Sequence, residues 1–208
     1  MSKDNTVGSQ EVLVNLTQRQ QDILVGTLLG DGCLEVNGSN VRLKIDHSLN
    51  QKQLTEWIFN EFKEFVKKAP YLLKQYDNRT NKIYSHYRFS TLSKPVFNNF
   101  YSTFYPKKKK IVPKDIKKLL VSPLSLAVWY MDDGFRRRDC NSLYLCTSAY
   151  TEKEHILLLE TLKMNFNIDA KVHFAAGNAR IYIPASCSRS FCDLVKAFMV
   201  PDLSYKLL

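Results

Sequence analysis

The stretches Leu24-Val-Gly-Thr-Leu-Leu-Gly-Asp31-Gly32 and Leu126-Ala-Val-Trp-Tyr-Met-Asp-Asp133-Gly134 are degenerate copies of one another, set 102 residues apart in a chain of 208. Each is an apolar helical run that closes on Asp-Gly. Glycine just past a helix end is ordinary, because it reaches left-handed backbone angles without steric cost. Aspartate there is not, since it faces the negative end of the helix dipole at a cost of about 0.3–1 kcal/mol when exposed. One such end reads as a capped turn. Two, at matching places in two matching halves, point to a pseudo-symmetric site with one carboxylate from each copy.

Outward from these runs, the halves repeat one order of elements. Residues 1 to 15 read as a flexible polar tail. Thr17-Gln-Arg-Gln20 fits a capping box and starts a helix that runs to about Gly30. Strands Cys33 to Val36 and Val41 to His47 flank Asn37-Gly38, a dipeptide that accepts the positive φ of a tight hairpin. Helical spacing of Leu54, Trp57, Ile58, Phe62, Phe65 and Val66 predicts a helix from Gln51 to Lys68. A second hairpin, Tyr71 to Asp77 and Lys82 to Thr91, and a helix from Val96 to Tyr105 close the first half. The second half opens at Ser122-Pro123, a hydroxyl cap with proline in the first helical position. It continues with a hairpin of Phe135 to Arg138 and Leu143 to Ser148, a helix from Thr151 to about Phe166, and strands Ala170 to Ala175 and Ala179 to Pro184 around Gly177-Asn178. A last helix is expected from Ser188 to Met199. The reading is an α+β protein of two αββαββα halves, residues 16–105 and 122–208, with residues 106–121 as linker.

Composition narrows the class of partner. Thirty Lys and Arg against 20 Asp and Glu leave a formal charge of +10, which favours polyanions such as nucleic acid. The polar start Met1-Ser-Lys-Asp-Asn-Thr and the lack of a long apolar run argue against secretion and membrane insertion. Cys33, Cys140, Cys146, Cys187 and Cys192 show neither Cys-x-x-Cys pairing nor His clustering, so they read as reduced thiols of an intracellular protein.

If the two apolar helices pack side by side, Asp31 and Asp133 come close together and their repulsion raises at least one pKa unless a cation intervenes. The carbonyls of Gly30 and Asp132 could add oxygens to the two carboxylates, a donor set suited to Mg²⁺. Gly26 permits close approach of the helices, yet its counterpart is Val128, so their contact cannot be symmetric.

The chain resembles the LAGLIDADG homing endonucleases, in particular their single-chain, two-motif branch encoded within introns. Leu-Leu-Gly-Asp31-Gly32 and Ser-Leu-Ala-Val-Trp-Tyr-Met-Asp-Asp133-Gly134-Phe carry the resemblance, with Lys-Lys110-Ile-Val-Pro113 and Val-Pro-Asp-Leu-Ser-Tyr-Lys206-Leu closing the halves. It departs from the family name in having Leu29 and Gly30 before the first aspartate, while the acid itself is kept. The resemblance implies that Asp31 and Asp133 are metal-binding catalytic acids and that Lys110 and Lys206 stand near the reacting water. It implies a metal-dependent double-strand break in a long, pseudo-palindromic DNA site, with Mg²⁺ as cofactor and Mn²⁺ able to replace it. A curved antiparallel sheet in each half would face successive major grooves. Alternation of residues puts Arg42, Lys44, Lys82, His86, Arg88, Arg136, Arg138, Lys171, His173 and Arg180 on those faces as DNA contacts. Tyr76, Tyr84, Tyr144 and Tyr182 are placed beside them, Lys107 to Lys109 are read as a solvated loop, and His155 is expected at the surface of its helix. No histidine metal site is expected. The protein should act as a monomer on duplex DNA, in an organelle or a prokaryotic cytoplasm, with unequal rates for the two strands. Binding of group I intron RNA as a maturase, or regulation by DNA binding without catalysis, are the rival readings.

Overall fold

The computed structural model describes residues 15–175 and 177–208, so the tail expected over residues 1 to 15 lies outside the described residues save for the last. The first half runs α1 (Gln18–Leu29), β1 (Cys33–Asn37), β2 (Asn40–Ser48), α2 (Lys52–Glu61), β3 (Tyr71–Asp77), β4 (Lys82–Ser90) and α3 (Asn98–Phe104). A short α4 (Ile116–Leu119) precedes the second half, α5 (Pro123–Asp133), β5 (Gly134–Arg136), β6 (Leu143–Cys146), α6 (Glu152–Phe166), β7 (Lys171–Ala175), β8 (Asn178–Ile183) and α7 (Ala185–Val195), which a 3₁₀ turn at Pro201–Lys206 completes. Both sheets are antiparallel and have the same order, β1-β2-β4-β3 and β5-β6-β8-β7. The fold is the expected α+β duplication.

Local chemistry accounts for three of the helix starts. Thr17 and Gln20 exchange both bonds of a capping box, and Thr151 with Glu154 does the same for α6. Ser122 accepts the Leu124 N–H at the start of α5. Gly38 and Gly177 hold positive φ at the hairpin turns. Ends are set by packing instead. The helix expected to reach Lys68 stops at Glu61 and tightens to a 3₁₀ turn over Lys63–Phe65, which swings Phe65 against Phe62 and Phe97 with ring centroids 6.5 and 5.7 Å apart. The last helix begins three residues early, because Ser188 turns inward to donate to the Pro184 carbonyl at 2.9 Å rather than serving as a cap.

The centre of the molecule is the pair α1 and α5. In α5 every residue from Leu124 to Asp132 is buried, so the helix has no polar stripe and its periodicity is that of a fully internal element. A Cβ placed on Gly26 would stand 2.3 Å from the Ser125 carbonyl oxygen and 2.7 Å from Val128 Cβ, which makes glycine the condition for this close crossing. Residues 106–121 are tied down rather than slack. Asn165 Nδ2 donates to the carbonyls of Lys117 and Leu120 at 2.8 and 2.7 Å, and Glu154 accepts the Val112 N–H at 2.8 Å. The five cysteines are free. No helix among the described residues is long and apolar enough to cross a membrane.

Candidate active site

The α1–α5 crossing brings both Asp-Gly ends to one cleft of about 270 Å³, lined by Gly30, Asp31, Lys110, Asp133, Cys146 and Tyr150 among others. The last turn of each helix carries carbonyls without helical partners. Lys110 Nζ donates to the carbonyls of Gly30 and Gly32 at 2.6 and 2.8 Å. Lys206 Nζ does the equivalent for α5, donating to the Met131 carbonyl at 2.5 Å and lying 3.4 Å from that of Asp132. An ammonium at a helix C-terminus is favoured by the dipole. The two lysines are therefore matched, one per half, and each is seated on the main-chain carbonyls at the end of its own helix. Tyr150 crosses from the second half to donate to the Leu29 carbonyl at 2.7 Å.

The acids are tethered differently. Asp133 Oδ2 accepts the Trp129 indole N–H at 3.3 Å, whereas Asp31 is tethered through its main chain, its N–H donating to Asp132 Oδ2 at 3.2 Å. Desolvation, together with the charges of Asp31 and Asp132, pushes the Asp133 carboxyl up to about 8. Asp31 moves the same way, through desolvation and the charge of Asp132, partly offset by His47 and the two lysines. Desolvation pulls Lys110 and Lys206 below the ordinary lysine value in spite of the carboxylates around them. A cleft holding repelling, poorly solvated carboxylates is poised for a cation.

Two residues near the cleft were not foreseen in these roles. Asp132, expected to offer its main-chain oxygen, also turns its side chain into the interface over Gly30, where a Cβ would come within 2.4 Å of Asp132 Oδ2. His47 is buried with Nε2 3.2 Å from Asp132 Oδ1, and a ligand atom from each of Asp31, His47 and Asp132 falls within 4.8 Å of the others. No histidine metal site is expected from the sequence, yet His47 stands with Asp31 and Asp132 in a group whose ligand atoms lie close enough together to share an ion. His155, expected at the surface, is 3% exposed and bonded to Thr147 Oγ1 and the Thr151 carbonyl, both at 2.9 Å. A surface reading fails there because α6 packs with this side chain turned toward β6.

Strand register places the basic residues. Cross-strand partners share a face, so the pairs Glu35 with Arg42, Asp46 with Arg88, Ser48 with His86 and Asp77 with Lys82 put Arg42, Lys44, Lys82, His86 and Arg88 together on one face of the first sheet. This face is ionic. Glu35 pairs with Arg42 and Lys44 at 2.9 and 3.1 Å, and Asp46 with Arg88 and His86 at 2.7 and 3.1 Å. On the second sheet, Lys171 with Tyr182 and His173 with Arg180 share a face with Tyr144 and Phe135. That face is aromatic: His173 stacks on Tyr182 at 4.0 Å, Phe135 on Tyr144 at 5.3 Å, and Arg180 lies over Phe135. Arg136 falls on the other side, opposite buried Leu143, and its guanidinium reaches the Leu207 carbonyl at 3.4 Å. Arg137 takes the aromatic side instead, over the Tyr144 ring, while Arg138 stands exposed past the end of β5. Tyr76 likewise lies on the reverse face, paired with Ile83. Lys107 to Lys109 are exposed, as a solvated loop requires.

A family model described as the LAGLIDADG DNA endonuclease family matches residues 21–191. The chain is 29% identical over 198 residues to a probable intron-encoded endonuclease 1 of Wickerhamomyces canadensis, spanning 93% of this chain and 85% of that protein. It is 31% identical to the DNA endonuclease I-ChuI of Chlamydomonas applanata over 93% of this chain and 96% of that protein. It is also 28% identical to the cytochrome b mRNA maturase bI2 of Debaryomyces hansenii, over 92% of this chain and 74% of that protein. Among solved structures, it superposes on the homing endonuclease I-WcaI bound to its DNA recognition sequence with a TM-score of 0.87 and 27% identity, covering 94% of this chain and 88% of that one.

Proposed function

The chain belongs to the LAGLIDADG DNA endonuclease family, and on that premise we propose that it is a site-specific homing endonuclease that breaks both strands of a long, pseudo-palindromic DNA site and so promotes intron mobility. One observation carries the reading: both pseudo-equivalent helix ends keep an aspartate in a shared cleft, each with its own lysine. A protein that only bound DNA has no use for two carboxylates placed where they repel each other and the phosphates.

The donors fit a hard divalent cation, being carboxylate and carbonyl oxygens. Asp31 and Asp133 would hold it, with Gly30 and Asp132 carbonyls beside them, since a carbonyl that accepts one lysine proton keeps a second lone pair. Bound there, Mg²⁺ or Mn²⁺ supplies a water of lowered pKa and neutralises charge on the leaving 3′ oxygen. Lys110 and Lys206 add positive charge at the cleft, on protons that desolvation holds less firmly than usual. The two sheet faces would take up the grooves, the ionic one through Arg and Lys on guanine edges and both through phosphate contacts. DNA spanning the uninterrupted insertion site is expected to be cut on both strands with Mg²⁺ by a monomer, as read from gels and sedimentation. A stable dimer on one site overturns the single-chain reading.

The cleft also predicts a pH-dependent response to metal. The folded Asp133 carboxyl titrates near 8 and the unfolded one near about 4, so between these values the folded state binds the extra proton. Stability of the metal-free chain therefore falls as pH rises through that window. A cation that binds the ionised form competes with this proton, so the rise in melting temperature caused by Ca²⁺ should be larger at about pH 8.5 than at about pH 6. Equal shifts at both pH values, or an unchanged difference in Asp133→Asn, would contradict the assignment.

The likeness to a maturase favours one second reading, in which the same scaffold binds intron RNA. Gel-shift competition between group I intron RNA and the duplex site separates the two, since a maturase without nuclease activity holds the RNA and leaves the duplex whole.

A further inference from the structure

The two halves carry a buried histidine and threonine pair at the same place in reversed order. In the first, His47 of β2 meets Thr55 of α2, Nδ1 to Oγ1, at 2.9 Å. In the second, Thr147 beyond β6 meets His155 of α6, Oγ1 to Nε2, also at 2.9 Å. Reversal changes where the second ring nitrogen points. His155 Nδ1 stays in its own half, on the Thr151 carbonyl at 2.9 Å. His47 Nε2 crosses to the other half and lies 3.2 Å from Asp132 Oδ1, with both side chains 0% exposed and neither atom meeting any hydrogen-bond partner, so proximity and charge rather than an aligned hydrogen bond join the two. Asp132 then accepts the Asp31 N–H through Oδ2 at 3.2 Å. Its twofold counterpart is Gly30, which has no side chain to return the contact, and Asp133 is held by Trp129 instead.

We propose that His47, acting through Asp132, is a positioning residue for Asp31: its imidazole, buried against the Asp132 carboxylate, keeps that side chain in the interface, and the carboxylate fixes the main chain at the first acid. Oδ1 of this buried carboxylate has no hydrogen-bond partner and lies against His47, and a buried charge left uncompensated is strongly disfavoured, so Asp132 keeps its place beside Asp31 best while His47 faces it. Asp133 has no equivalent relay. Losing His47 should therefore loosen one acid and spare the other. This inference rests on the endonuclease reading above.

The test follows the two strands separately, using the full chain, Mg²⁺, a supercoiled plasmid with one target site, and duplexes labelled on either strand. His47→Asn, whose amide is too short to reach Asp132, is expected to slow one strand about ten- to a hundredfold and the other by less than about threefold. Nicked plasmid should then accumulate while Ca²⁺-supported DNA binding holds, and the melting temperature should fall because the buried Asp132 loses its partner. His47→Gln, whose amide nitrogen stands near the place of the ring Nε2, should restore the linear product. Should His47→Asn fail to fold, Thr55→Val removes only the hydroxyl that steadies the ring and must slow the same strand preferentially. Equal slowing of both strands, or glutamine rescuing no better than asparagine, overturns the proposal while wild-type cleavage keeps the endonuclease reading intact. A wild-type chain that leaves the duplex uncut overturns both.

Discussion

Asp31→Asn and Asp133→Asn are each expected to lower double-strand cleavage on the order of a thousandfold while leaving DNA binding in place. Asparagine has nearly the volume of aspartate, so the α1–α5 crossing and the Asp31 N–H to Asp132 contact survive the exchange. What is lost is the charge that would hold a cation. Because the Asp133 carboxyl is raised by desolvation and by its acidic neighbours, removing either charge relieves repulsion. Both variants should thus melt no lower than the wild type without metal, and should bind DNA at least as tightly in EDTA, each with one fewer acidic group facing the phosphates. Single-turnover cleavage, gel-shift titration and thermal melting check the three parts. Wild-type cleavage by both variants would show that neither acid is catalytic.

Gly26→Val is expected to be the most damaging single exchange in the interface. The added Cβ meets a main-chain carbonyl, Ser125 O at 2.3 Å, which cannot rotate away, and Val128 Cβ at 2.7 Å. Overpacking of this kind costs about 3 kcal/mol or more where backbone must move, against less than about 1 kcal/mol gained by replacing glycine within a helix. The clash wins. For a chain of 208 residues a loss of about 3 kcal/mol lowers the melting temperature by about 6–12 °C. Cleavage should fall further than stability accounts for, because spreading the helices also separates the acids at their ends. A melting temperature within a degree or two of wild type would mean that α1 and α5 do not touch at Gly26.

Much of the fold is local and was legible as such. Capping residues Thr17 and Thr151, proline at the first position of α5, and the glycines at positive φ in two hairpins depend on neighbours a few residues away. The basic face of the first sheet follows from alternation in β2 and β4, which are nine residues each and long enough to hold a phase. In β5, only three residues long, phase has no such anchor, and Arg137 rather than Arg136 reaches the aromatic face. His155 looked like a surface residue for the same kind of reason: polarity predicts exposure unless a partner is known, and Thr147 is its partner only once the strand and helix are packed.

By itself the sequence determined that there are two equivalent halves and which acid ends each central helix, because repetition and helix-end chemistry are readable along one chain, while the lysine of each half was implied by the family resemblance. It also foretold that the copies could not pack symmetrically, from Gly26 against Val128 and Gly30 against Asp132. Only the tertiary structure decided what that asymmetry does. Side chains that meet across the α1–α5 crossing come from residues about 100 apart, and their meeting depends on helix separation and rotation that no local period encodes. Gly30 leaves a space, Asp132 fills it, and His47 stands buried 3.2 Å from that carboxylate.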